Sequence, residues 1–120
     1  MKTMKLILVF ILTAFISGNL SAQVSTKNVK TKTETIKVFG NCSMCKDRIE
    51  KAVKSEGTVS GSWDSKTKLL AVTYDPAKTS RPVLEKKVAA AGHDTEKFRS
   101  EDKVYDSLPR CCHYDRKKVE

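Results

Sequence analysis

Two cysteines separated by two residues, Cys42 and Cys45, are the residues of this sequence best suited to chemistry. They lie where a strand-like alternation gives way to a helical period, so Cys42 falls in a loop and Cys45 in the first turn of a helix. Their Cβ atoms should then be about 5–6 Å apart. A soft metal ion with two thiolate bonds of about 2.3 Å needs sulfurs no more than about 4.6 Å apart. The spacing therefore suits a bound metal ion.

The start of a helix also favours the reactive form of a cysteine. Free N–H groups and the positive end of the helix dipole stabilise the thiolate and lower the thiol pKa. Thiolates are good ligands for Cu(I) and also bind Zn(II). A redox dithiol uses the same arrangement, so a thiol–disulfide oxidoreductase stays an alternative. A two-ligand site in an exposed loop leaves the ion open to a thiolate of another protein, which favours transfer over permanent storage.

The residues around the pair predict a small α+β domain. Apolar residues alternate in four short segments, as in half-buried strands, and recur with helical period in two longer ones. The predicted strands are 35–39, 59–63, 69–74 and 95–98, and the predicted helices are 43–55 and 80–91. The order β-α-β-β-α-β predicts a ferredoxin-like sandwich with two helices on a four-stranded antiparallel sheet.

Within this order, the residues Gly40-Asn41-Cys42-Ser43-Met44-Cys45 followed by Ile49-Glu50 resemble the heavy-metal-associated domain of copper chaperones, metal-pumping ATPases and the periplasmic mercury-binding protein. The resemblance covers residues 33–98. It implies that Cys42 and Cys45 are metal ligands. It also implies that His93 lies in a loop beside the metal, where an imidazole would be a third ligand or would titrate near neutral pH. The alternative for His93 is a partly exposed loop histidine.

The C-terminal extension, residues 99–120, carries a second group of soft ligands in Cys111, Cys112 and His113. Adjacent cysteines do not easily form an unstrained disulfide, and the chain before them can span up to about 40 Å. The extension can therefore reach the Cys42–Cys45 loop, and we expect it to add ligands, either as a lid on the same ion or as a second site. The alternatives are an extension that forms disulfides and a closed four-thiolate zinc site that stabilises the fold.

Residues 1–22 have the layout of a secretory signal peptide. Lys2 and Lys5 precede an apolar run that is too short to span a bilayer, and small and polar residues lead to a cleavage site after Ala22. Residues 23–32 are polar and predict a flexible leader. The expected location is the periplasm or the extracellular space, with a soluble protein after cleavage.

Charge and composition narrow the function classes. The formal net charge of +9 falls to +7 when Lys2 and Lys5 leave with the signal peptide. The basic residues are dispersed without interleaved aromatic residues, so we expect no nucleic-acid partner.

The combined prediction is a metal-binding protein that is not an enzyme and that carries or sequesters a soft ion. Cu(I) is preferred over Hg(II) and Zn(II), in part because Met44 lies inside the cysteine pair. The expected partner is a membrane metal transporter, either a P-type ATPase or an efflux system, that exchanges the ion through thiolates. A metal-bridged dimer is a further expectation.

Overall fold

The computed structural model describes residues 30–116. The predicted signal peptide over 1–22 and most of the predicted leader over 23–32 lie outside the described residues. The elements in chain order are β1 (Lys32–Lys37), α1 (Ser43–Val53), β2 (Thr58–Trp63), β3 (Leu69–Tyr74), α2 (Arg81–Ala90), α3 (Asp102–Asp106) and a short 3₁₀ helix (Arg110–Cys112). None of the helices between residues 30 and 116 has the length and apolar character needed to cross a membrane.

The three strands form one antiparallel sheet in the order β1-β3-β2. Along β3, Leu70, Val72 and Tyr74 are buried on one face, while the residues between them are exposed or half-buried. The register places Ile36 of β1 and Trp63 of β2 opposite Leu70. The period-2 alternation that predicts these strands therefore also determines which face packs against the helices.

The helices supply the other half of the core. Cys45, Ile49 and Val53, spaced by four residues, form the buried stripe of α1. Leu84 and Val88 do the same for α2. The buried hydrophobic core consists of Ile36, Val38, Cys45, Ile49, Val53, Trp63, Leu70, Val72, Tyr74, Leu84, Val88, Leu108, Cys112 and Tyr114. Two of the candidate metal ligands, Cys45 and Cys112, are thus fixed by the packing of the core.

The predicted fourth strand over 95–98 does not form. Thr95 makes an isolated antiparallel bridge with Val38, after which the chain turns. The Thr95 N–H donates to the Phe98 carbonyl at 2.8 Å, and Thr95 Oγ1 accepts from the backbone N–H groups of Lys97 at 3.3 Å and Phe98 at 3.0 Å. A threonine hydroxyl that satisfies nearby N–H groups competes with a strand ladder. The sheet therefore has three strands where four were predicted.

The C-terminal extension, as far as residue 116, folds back onto the domain. Leu108, Cys112 and Tyr114 join the same hydrophobic core as the strands and helices. α3 is not among the predicted elements because the residues around it are mostly charged and show no apolar period. The described fold is thus an α+β unit with three α-helices and a three-stranded antiparallel sheet.

Candidate metal centre

The loop between β1 and α1 places the first two thiols together. Cys42 lies just before α1 in an extended conformation, and Cys45 lies in the first turn of the helix and is buried. Their Sγ atoms are 3.4 Å apart. The backbone N–H of Asn41 also points to the Cys45 sulfur, at 3.4 Å. The predicted proximity of the two thiols is therefore present.

Gly40 allows this loop to sit directly on the core. A Cβ at this position would lie 3.0 Å from the Cβ of Cys45 and 3.1 Å from the Trp63 ring, closer than side-chain atoms normally pack. The Trp63 ring is itself fixed, because its indole N–H donates to the Val38 carbonyl at 3.0 Å. The tryptophan thus fills the space beneath the loop that a side chain at residue 40 would need.

The C-terminal extension brings two more sulfurs to the same place. Cys112 is buried, and its Sγ lies 3.6 Å from that of Cys42. Cys111 is exposed, and its Sγ lies 2.7 Å from that of Cys42, 3.6 Å from Met44 Sδ and 4.0 Å from the Cys112 Sγ. The sulfurs of Cys42, Cys45 and Cys112 all lie within 4.8 Å of one another, so this group could hold a metal ion.

The thiols of this group differ in acidity. Burial opposes ionisation of Cys42, but hydrogen bonds with the Cys111 thiol, with the backbone N–H and thiol of Cys45 and with the Cys112 thiol outweigh it and lower the pKa of Cys42 to about 6. Burial, followed by the hydrogen bonds to Cys45 and Cys42, raises the pKa of Cys112. The hydrogen bond with Cys42 raises the pKa of Cys111. At neutral pH Cys42 is therefore mainly a thiolate, while the thiols of Cys111 and Cys112 are harder to ionise than usual.

Two polar anchors hold the extension after the cysteines. The Tyr114 hydroxyl accepts from the Asp94 N–H at 2.8 Å and donates to the Gly92 carbonyl at 2.9 Å. Arg116 pairs with the carboxylate of Asp94, with Nε 3.0 Å from Oδ2 and Nη2 3.1 Å from Oδ1. Both anchors end on the segment that follows α2, so they fix the end of the extension to that segment.

A further contact joins the two cysteine-bearing segments directly. The side-chain amide of Asn41 donates to the His113 carbonyl at 3.1 Å. Before the cysteines, Leu108 packs so closely on Gly92 that a Cβ there would lie 2.8 Å from Leu108 Cδ2. The residues on each side of Cys111 and Cys112 are therefore held in place. None of these anchoring residues was predicted from the sequence, although Leu108 and Tyr114 stand out there as large apolar or aromatic residues in a polar segment.

The two histidines lie outside the three-thiol group. His93 is fully buried, which rules out the alternative of a partly exposed loop histidine. Its Nδ1 lies 2.9 Å from the Phe39 carbonyl, its ring stacks on Tyr114 at 5.8 Å, and burial lowers its pKa. His113 is exposed, with Nε2 2.9 Å from the Leu108 carbonyl and its ring stacked on Tyr105 at 5.0 Å.

The fold and the site together define a small α+β domain with a Cys-x-x-Cys loop at the start of its first helix. Solved structures share this fold. Oxidized MerP from Ralstonia metallidurans CH34 is 38% identical, with a TM-score of 0.52 over 55% of this chain and 94% of that one. The Cu(I)-loaded N-terminal domain of a potential copper-translocating P-type ATPase from Bacillus subtilis is 26% identical, with a TM-score of 0.52 over 55% of this chain and 85% of that one.

A third structure, the CopZ metallochaperone, has the same fold at 24% identity, with a TM-score of 0.52 over 53% of this chain and 98% of that one. No family model and no curated protein matches the sequence. The identity to MerP, over nearly the whole of that protein, is nevertheless enough to assign the family. The chain belongs to the heavy-metal-associated domain family.

Proposed function

We propose that this protein binds one soft metal ion, Cu(I) in preference to Hg(II) or Zn(II), and carries or sequesters it, with Cys42 and Cys45 as the primary ligands. The observation that supports this most directly is the pair of sulfurs 3.4 Å apart at the start of α1. A relative with 26% identity was solved in a Cu(I)-loaded state, which supports copper as the ion.

The donor set fits a soft ion. Sulfur ligands select Cu(I) and Hg(II) over hard ions such as Mg²⁺ and Ca²⁺, and all the candidate ligand atoms of the three-thiol group are sulfurs. Metal binding requires thiolates, and Cys42 has its pKa lowered to about 6. One ligand is therefore already ionised at neutral pH. Cys42 is also only partly buried, which gives an incoming thiolate access to the ion.

The proposed role is transport without catalysis. Ion transfer needs a partner that presents its own thiolates, and we propose a membrane metal transporter, a P-type ATPase or an efflux system. Export to the periplasm or beyond follows from the signal-peptide pattern of residues 1–22. Mass spectrometry of the protein purified from the secreted or periplasmic fraction tests this point, since cleavage after Ala22 leaves Gln23 as the first residue.

The function is tested by anaerobic titration of the reduced protein with Cu(I) against a competing chromophoric chelator. We expect one equivalent to be taken from the chelator by the natural sequence, and little by a variant with Cys42→Ser and Cys45→Ser. Titrations with Hg(II) and Zn(II) under the same conditions rank the ions. If the double variant competes as well as the natural sequence, these two cysteines are not the primary ligands.

The oxidoreductase alternative is tested with the same protein in an insulin-reduction assay. A metal carrier should not turn over beyond the rate of free dithiothreitol. Turnover well above that rate, together with failure to compete for Cu(I), would favour the redox dithiol.

A further inference from the structure

We infer that Cys112 supplies a third thiolate to the ion, so that Cys42, Cys45 and Cys112 form one three-sulfur site that the C-terminal extension completes. This inference rests on the proposed function, because it concerns how many ligands the same ion has. The starting observation is that a buried sulfur of the extension lies 3.6 Å from Cys42, within a group whose sulfurs are all within 4.8 Å of one another.

The sulfur separations favour three ligands over two. With metal–sulfur bonds of about 2.3 Å, a linear two-sulfur site needs sulfurs about 4.6 Å apart and a trigonal one needs about 4.0 Å. The Cys42–Cys45 pair, at 3.4 Å, must open by about 0.6 Å for the trigonal site but by about 1.2 Å for the linear one. The Cys42–Cys112 pair, at 3.6 Å, is close to the trigonal value as it stands.

Cys111 is less well placed for the same ion. A tetrahedral four-sulfur site needs separations of about 3.8 Å, whereas the Cys42 and Cys111 sulfurs are only 2.7 Å apart. Cys111 is also exposed, while Cys112 has no exposed surface. The adjacent cysteines of the extension therefore have different roles, and a closed four-thiolate site is disfavoured.

A buried cysteine is often no more than a small apolar residue in a core. Two features distinguish Cys112 from that case. Its sulfur converges on two other thiols, and the chain on either side of it is fixed by Leu108 against Gly92 and by Tyr114 against Asp94. The third ligand is thus held in place by the fold before any ion arrives, which reduces the conformational entropy lost on binding.

The chemistry balances without any redox change. Each metal–sulfur bond that forms from a thiol releases its proton to water, and the oxidation state of the ion stays the same. When the ion is passed on, a thiolate of the partner replaces a thiolate of this site, and the released sulfur takes up a proton only where its pKa lies above the ambient pH.

The test is Cu K-edge X-ray absorption of the protein loaded with one equivalent of Cu(I), which counts the sulfur ligands directly in the natural sequence. We expect three sulfurs there and two in Cys112→Ala, with three retained in the matched variant Cys111→Ala. We also expect Cys112→Ala to weaken Cu(I) binding by about 100-fold or more in the chelator competition, because a linked ligand acts at high effective concentration.

The outcomes distinguish the third ligand, Cys112, from the proposed two-cysteine carrier. Two sulfurs in the natural sequence would overturn the third ligand while leaving the two-cysteine carrier intact, whereas four sulfurs, or an equal loss in Cys111→Ala, would indicate the four-thiolate site. Failure of the natural sequence to compete for Cu(I) at all would overturn the proposed function and this inference with it. The ligand count of the natural sequence needs no variant, so the test holds even if Cys112→Ala does not fold, which circular dichroism reports.

Discussion

Replacing Arg116 with alanine tests whether the C-terminal extension is an integral part of the fold. The guanidinium makes two hydrogen bonds to the carboxylate of Asp94, at 3.0 and 3.1 Å, and lies 4.6 Å from the centre of the Tyr105 ring. The Asp94 side chain has no exposed surface and that of Arg116 is 10% exposed. The Arg116–Asp94 pair is therefore buried. The polar sequence of the extension gives no sign of such a contact.

We expect Arg116→Ala to lower the free energy of unfolding substantially. Removing one member of a buried ion pair leaves the other charge uncompensated and costs about 3–5 kcal/mol. Asp94 keeps one strong donor, the Ser100 N–H at 2.7 Å, so the lower end, about 3 kcal/mol, is expected. For a domain of this size, that loss lowers the melting temperature by about 12 °C or more.

The assay is thermal and urea denaturation of the metal-free, reduced protein, with Arg99→Ala as the matched control. Arg99 lies 3.9 Å from Asp102, and both side chains are more than half exposed, so its loss should cost at most about 1 kcal/mol. Hydrogen exchange of the Cys112, His113 and Tyr114 amides locates the change, because these amides bond within the extension. Equal stability of the two variants, with unchanged exchange at these amides, would refute the role given to the Arg116–Asp94 pair.

Two further predictions concern Gly92, in the loop after α2, and the thiolate of Cys42. Gly92→Ala should lower the free energy of unfolding, measured by urea denaturation, by about 2 kcal/mol or more, because φ is +106° there and the new Cβ would lie 2.8 Å from Leu108. A loss well below about 1 kcal/mol would mean that Leu108 moves away at little cost. Alkylation of Cys42 by iodoacetamide should rise with pH around a midpoint near 6 and level off above it, since the thiolate reacts and its pKa is lowered. In Cys111→Ala the midpoint should move upward, because a hydrogen bond that favours the thiolate is lost; a midpoint near 9 in the natural sequence would contradict this account.

The parts of the fold that could be predicted from the sequence are those set by local patterns. Three strands and two helices follow from apolar periods within each segment, and the observed bounds differ from the predicted ones by only a few residues. Gly57 and Gly92 follow the two helices and have positive φ, as glycines past a helix commonly do. The proximity of Cys42 and Cys45 is also predictable from local sequence, because the two residues lie within one helical turn of each other at the start of α1.

The parts that could not be predicted depend on contacts between distant segments. The fourth strand is missing because Thr95 uses its hydroxyl for a local turn, a choice that apolar alternation does not reveal. The burial of His93 depends on Tyr114, whose ring stacks on it from twenty-one residues further along the chain. Without the position of the extension, a histidine after Gly92 has every sign of an exposed loop residue.

The extension would also change how easily the site releases its ion. A two-thiolate loop open to solvent gives up its ion as soon as a partner thiolate arrives, whereas a third ligand held by the fold must first be displaced. If Cys112 binds the ion, release is coupled to opening of the segment that Tyr114 and Arg116 anchor, and the free energy of those anchors adds to the barrier for transfer. The anchors contact the loop after α2 and are not metal ligands. A partner that binds this loop and breaks the anchors would therefore speed release of the ion without binding the ion itself. The same Arg116→Ala variant that loosens the extension should therefore transfer Cu(I) to a chelator faster than the natural sequence, while Arg99→Ala should not.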